Sequence, residues 1–252
     1  LTDPETLTII CLTFVLAGLV KGIIGMGLPT VSLVVLTVAI DLPSAMALLL
    51  IPSLVTNLWQ AMAGVNLTFF VARLWPFLVA ATLSVWIGAI IFSRVDTSLM
   101  SALLGLLVVT YAISGLAGYK LRIEPHHDNN TGPLTGVIFG TVNGVLTGMT
   151  GSFVMPGVMY LQAIGLSRDV LIQAMGLLFT VSTVALALAL QRNQILNSQL
   201  GWLSLLAVIP AIVGMMAGQR LRRHLSESQF RSVFFVSLLA LGVSVGVQSF
   251  FQ

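Results

Sequence analysis

The stretch V20-K-G-I-I-G-M-G-L-P-T30 decides how this chain is read. It sets a lysine, three glycines and a proline inside an apolar run from Thr6 to Ile40 in which Lys21 is the sole charge. Thirty-five residues of helix would measure about 52 Å, against a bilayer hydrocarbon core of about 30 Å. One straight span does not fit. A break is expected at Gly22–Pro29, leaving two short helices over residues 6–20 and 28–40. Glycine withdraws side-chain support from a helix, and Pro29 removes one N–H and crowds the preceding turn. The expected shape is a hairpin of half-helices meeting inside the membrane.

Composition agrees. The chain of 252 residues is 57% hydrophobic and 8% charged, with a mean hydropathy of +1.04. A soluble domain would carry about 25% charged residues, so the outside of this protein must be lipid-facing. The net charge of +3 comes from Lys and Arg spread over short loops, without the aromatic-interleaved basic face that nucleic acid would need. The single cysteine, Cys11, excludes an intramolecular disulfide and a cysteine-based metal site and reads as a lipid-facing or packing residue. No basic n-region precedes the first apolar run, and that run is too long for a cleavable signal.

The second half of the chain repeats the plan of the first. Apolar segments at about 43–63, 69–93 and 98–117 are followed by the polar loop K120-L-R-I-E-P-H-H-D-N-N-T-G132, then by an uncharged run over Leu134–Leu166 and segments at about 170–190, 199–218 and 230–251. G18-L-V-K-G22 recurs as G140-T-V-N-G144, and Gly25, Gly27 and Pro29 recur as Gly148, Gly151 and Pro156. Trp75, Gly88 and Arg94 have counterparts in Trp202, Gly214 and Arg222. The reading is an all-α polytopic membrane protein, internally duplicated into two inverted-topology halves, residues 1–125 and 126–252. Each half is expected to hold one Gly/Pro-broken hairpin and three transmembrane helices within a single transmembrane domain. If both broken runs are hairpins, Arg73, Lys120, Arg122, Arg168, Arg220, Arg222, Arg223 and Arg231 share one face against Arg94 and Arg192, a clear cytoplasmic bias. Both termini then lie on the non-cytoplasmic side.

Irregular backbone at membrane depth is tolerated only where protein or water satisfies it. Helix N-termini starting near Gly27–Thr30 and Gly151–Met155 would carry unsatisfied N–H groups and about half a positive charge each, which suits an anion. The candidate ligands are Lys21, Gly22, Gly25, Gly27, Pro29 and Thr30 at the first break. At the second they are Asn143, Gly144, Thr147, Gly148, Thr150, Gly151, Ser152 and Pro156, with Asn143 aligned to Lys21. Asn57 and Gln173 join them from the helices that follow, where Ser53, Thr56, Gln60, Thr180, Ser182 and Thr183 are further polar residues. The same glycines also read as packing residues of close-set helices.

No enzyme is expected: the spans hold no H-E-x-x-H and no aspartate pair, and all three histidines, His126 and His127 among them, fall in loops. Neither a metal nor a cofactor is called for. Asp41, Asp96, Glu124 and Asp169 lie near helix ends, so no carboxylate proton relay is visible in the spans.

The doubled order of glycine-rich break, apolar stretch and proline, with the runs toward Arg94 and Arg222, resembles the TauE/SafE sulfite exporter family of membrane transporters. Here the first copy is shortened to Gly25-Met-Gly-Leu-Pro29, and Thr150 and Ser152 stand where the family has glycines. The resemblance implies export of sulfite, sulfoacetate or another sulfonate across the bacterial inner membrane. The expected mechanism is alternating access around the paired breaks. The partners would be the lipid bilayer and a small anionic substrate, with no nucleic acid and with room for a homodimer. An importer of the same anions would need a coupling ion, H+ or Na+, and a gated small-anion channel would use the same residues. The topology has a direct test. Alkaline phosphatase fused after Gln252 should be active in cells, and a fluorescent protein fused there should stay dark; the reverse pair would place the C-terminus in the cytoplasm.

Overall fold

The computed structural model describes residues 3–63, 67–118, 131–222, 224 and 227–251. The polar loop with Lys120, Arg122, Glu124, His126, His127 and Asp128, and also Arg223, lies outside them. The first helix, α1 (Pro4–Ile24), starts where Asp3 accepts from the Thr6 N–H at 3.0 Å and the Thr6 hydroxyl at 2.6 Å. Those two bonds, the hydroxyl first, hold the Asp3 carboxyl at about 2, below its usual 3.8. The remaining helices are α2 (Leu28–Ala39), α3 (Leu42–Leu48), α4 (Leu50–Met62), α5 (Leu67–Phe92), α6 (Thr97–Leu116), α7 (Thr131–Thr150), α8 (Gly157–Ala163), α9 (Arg168–Arg192), α10 (Ser198–Leu206), α11 (Val208–Leu221) and α12 (Glu227–Gln248). No strand occurs among the described residues.

Six helical segments are long and apolar enough to cross a membrane, or seven if the bent α3–α4 pair is one span. Large apolar side chains such as Leu12, Leu83, Leu106, Ile209 and Val233 are exposed, while Lys21, Asn57, Asn143 and Gln173 are buried. This inversion of the soluble pattern is what a lipid surround demands. Cys11 is exposed on α1.

Two expectations are corrected. The first hairpin does not consist of two half-helices: α1 has 21 residues, about 32 Å, and runs through Gly22. Its break is confined to Gly25–Gly27, where φ is +89° and +110°, a region that side chains other than glycine avoid. Likewise α7 runs through Gly148 to Thr150 and stops at Gly151, φ +73°. Positive φ, not glycine content, ends these helices. The second correction concerns the segment at 43–63, which bends by 43° between α3 and α4. Pro52 has no N–H for the Leu48 carbonyl four residues back. The Ser204 hydroxyl of α10 takes its place, donating to that carbonyl at 2.8 Å and accepting from the Ile51 N–H at 3.1 Å.

The chain forms two compact units, and each draws on both halves of the sequence. One comprises residues 1–52, 96–118 and 194–252, hence α1–α3, α6 and α10–α12; the other comprises residues 53–95 and 119–193, hence most of α4 with α5 and α7–α9. In the first unit α1 lies along α11, and α6 along α12. In the second, α5 lies along α7 and also touches α9.

Glycine explains these pairings. A Cβ at Gly18 or Gly22 would overlap the carbonyls of Ala211 or Met215 on α11, and one at Gly214 or Gly218 would overlap those of Val15 or Leu19 on α1. The second unit repeats the device. Gly140, Gly144 and Gly148 of α7 face the carbonyls of Phe77, Ala81 and Val85, and Gly88 of α5 faces that of Val145. Lipid gives helices no hydrophobic reason to associate, so close backbone approach supplies dispersion and Cα–H···O contacts instead. Gly144→Val should therefore cost about 3 kcal/mol or more, read as loss of a monodisperse peak in detergent. Gly201→Ala, in α10 with open space around it, should stabilise by about 0.5–1 kcal/mol.

Candidate functional site

At the first break the chain leaves α1 through Gly25, whose N–H donates to the Lys21 carbonyl at 2.8 Å. It passes Met26, whose sulfur accepts from the Tyr111 hydroxyl at 3.2 Å, and enters α2 at Gly27. Pro29 occupies the second helical position, where a missing N–H is no loss. No side chain caps this end of α2, so its first-turn N–H groups have no partner within the helix. Three residues after Gly27, Thr30 is 2% exposed and its hydroxyl has no hydrogen-bond partner. Lys21 lies in the last turn of α1 and is 4% exposed. It is buried rather than reaching out to an interface, which answers the question its position in the sequence raised.

The second break has the same outline and a different internal economy. Asn143 Oδ1 accepts from the Gly157 N–H at 2.9 Å, taking one of the first donors of α8. Thr147 donates to the Ser152 carbonyl at 2.9 Å. Thr150 donates to the Leu146 carbonyl at 2.8 Å and accepts from the Ser152 N–H at 3.2 Å. The Met155–Pro156 peptide is cis. Phe153 packs near Phe179 of α9, with ring centroids 6.0 Å apart. The Nδ2 of Asn143 is buried without a partner.

The other expected ligands are placed as follows. Gly22 of the first unit, and Gly144 and Gly148 of the second, are set against a neighbouring helix backbone, and their close approach is to that helix. Gln173 of α9 donates to the Ala61 carbonyl at 2.9 Å, and Gln60 of α4 donates to the Ile172 carbonyl at 2.6 Å. The two amides clasp the crossing of α4 and α9, where Gly176 lies against Asn57, Gln60 and Ala61. Asn57 is fully buried at this crossing. Ser53 and Ser182 are also fully buried, and their hydroxyls have no partner.

A family model described as sulfite exporter TauE/SafE matches residues 10–245. The chain belongs to this family. It is a transmembrane transporter of TauE/SafE type, built on multiple apolar helices. No curated protein and no solved structure gives a significant match.

Two residues with notable environments escape a reading by type alone. Thr37, 5% exposed with an unpartnered hydroxyl, lies seven residues after Thr30 and so on the same face of α2; that spacing was the available signal. Ser204 carried none, because its role exists only against the Pro52 bend. The second break yields a prediction about stability. Asn143→Ala should leave the Gly157 N–H unsatisfied and cost about 1–3 kcal/mol, read as a lowered unfolding temperature without ligand. An unchanged temperature would mean that another group takes over the cap.

Proposed function

We propose that this TauE/SafE member is a secondary transporter that exports a small organosulfur anion, sulfite, sulfoacetate or another sulfonate, across the bacterial inner membrane by alternating access. The observation that carries the reading is the first break, where a buried lysine, an uncapped helix N-terminus and an unpartnered hydroxyl occur within ten residues. A sulfonate or sulfite group presents three acceptor oxygens. N–H groups at a helix N-terminus and an ammonium suit such a group better than a neutral or cationic cargo.

Export needs no buried acid. An inside-negative potential favours anion exit by about 2.3 kcal/mol per charge per 100 mV. Asp3, Asp41 and Asp96 all stand at helix N-caps, and Asp169 lies in the first turn of α9, positions where a carboxylate serves the helix. The substrate reading is tested by thermal stabilisation of the purified protein with sulfite, sulfoacetate, taurine, sulfate and small carboxylates. A saturable shift with sulfite or sulfoacetate is expected. Shifts only with carboxylates would replace the organosulfur assignment, and ion conductance through a planar bilayer would replace the transporter with a channel. Lys21→Ala should weaken the sulfite response roughly tenfold or more.

A further inference from the structure

We propose that the oxyanion is held by the break of the first unit, at Lys21, Gly27 and Thr30, and that the break of the second unit is a self-satisfied structural element that does not ligate it. The inference rests on the anion-transport reading above and assigns the charged end of the substrate to one of two outwardly similar sequences.

The distinction lies in how each break uses its polar groups. In the second unit, the Thr147 and Thr150 hydroxyls donate to the carbonyls of Ser152 and Leu146, and Asn143 Oδ1 is taken by the Gly157 N–H. The helix that follows, α8, has only seven residues, too few for a macrodipole of useful strength. The unpartnered groups of the second unit include the Asn143 amide Nδ2, the Ser53 hydroxyl on α4 and the Ser182 hydroxyl on α9, all of them neutral. The position aligned with Lys21 carries no charge.

The first unit is built the other way. Its α2 has twelve residues and begins at Gly27 with no side-chain cap, so the Leu28 and Thr30 N–H groups stand at its positive end. The hydroxyls of α2 are informative. Ser32 donates back to the Leu28 carbonyl at 2.7 Å. So do Thr82, Thr110, Thr180 and Thr183 on other helices, each to the carbonyl four residues before it. That is the habit of a hydroxyl that has nothing else to bond. Thr37 does not follow it although the Leu33 carbonyl lies four residues before it; Thr30, in the first turn of α2, has no helical carbonyl four residues back, and both hydroxyls are buried without a partner. Two hydroxyls on one face of one helix, both buried without a partner, mark that face as the one that meets a polar ligand. In the last turn before the break stands a buried basic side chain, Lys21.

The experiment is calorimetric titration of sulfite into the purified protein and its variants. Thr30→Val should weaken sulfite binding on the order of tenfold, as expected for a hydrogen bond to a charged group. Its ligand-free unfolding temperature should be unchanged or raised, because the lost hydroxyl had no partner. Thr30→Ser should restore binding. Lys21→Met should reduce it further, and Ser182→Ala should leave it unchanged. Native-like binding by both Thr30→Val and Lys21→Met would overturn the assignment, and so would an equal loss in Ser182→Ala or Ser152→Ala. If the native protein binds neither sulfite nor sulfoacetate, the anion-transport reading itself falls, and the assignment with it. Should Thr30→Val fail to fold, the Lys21→Met and Ser152→Ala pair still separates the two breaks.

Discussion

Backbone contact through glycine is the constraint on which the remainder of this protein rests. In water, two apolar helices associate because water rejects them both. In lipid that drive is gone, and association depends on how closely two backbones approach. Gly18 and Gly22 against Gly214 and Gly218 form one such seam, and Gly140, Gly144 and Gly148 against Gly88 form another. Each seam joins a helix that precedes a break to a helix from the other half of the sequence. Each compact unit therefore draws on both halves of the sequence, because the faces that fit lie far apart in the chain.

The seams also account for where the breaks fall. A helix held along its length by a neighbour continues past glycines that would otherwise weaken it, because the packing gain offsets about 1 kcal/mol of lost propensity per glycine. It ends only where the backbone enters a conformation that packing cannot rescue, at Gly25 and at Gly151. The irregular stretches are consequently short. In the second unit the Gly157 and Ser152 N–H groups are met by Asn143 and Thr150, and the Ser152 carbonyl by Thr147.

Polar residues in so apolar a chain look functional on sight, and most of them turn out to serve the backbone. Ser204 replaces the donor that Pro52 lacks, Gln60 and Gln173 clasp a helix crossing, and Asn193 donates to the Ala89 carbonyl at 3.1 Å. A buried donor or acceptor must be matched, and in a membrane the nearest match is usually a carbonyl freed by a bend or a helix end. Groups left over, such as Thr30 and Thr37 in one unit and Ser53, Ser182 and the Asn143 Nδ2 in the other, are therefore more informative than the count of polar residues.

Membrane residence, the all-helical class, family membership and both breaks were legible in the chain itself, because each depends on local chemistry. Thirty-five apolar residues cannot cross one bilayer straight, and a cluster of glycines followed by proline favours a break within the run. The candidate site was legible as a set of residue types around Lys21 and Asn143. Which of them remain available to a ligand was not. Gly22 and Gly144 read alike as ligand-approach or packing residues until a partner helix stands against them. Thr147 and Thr30 are the same residue type with opposite fates, one bonded to a carbonyl and the other to nothing. Only the tertiary structure decided these matters, because close approach and hydrogen-bond satisfaction depend on pairs of groups that the sequence keeps far apart.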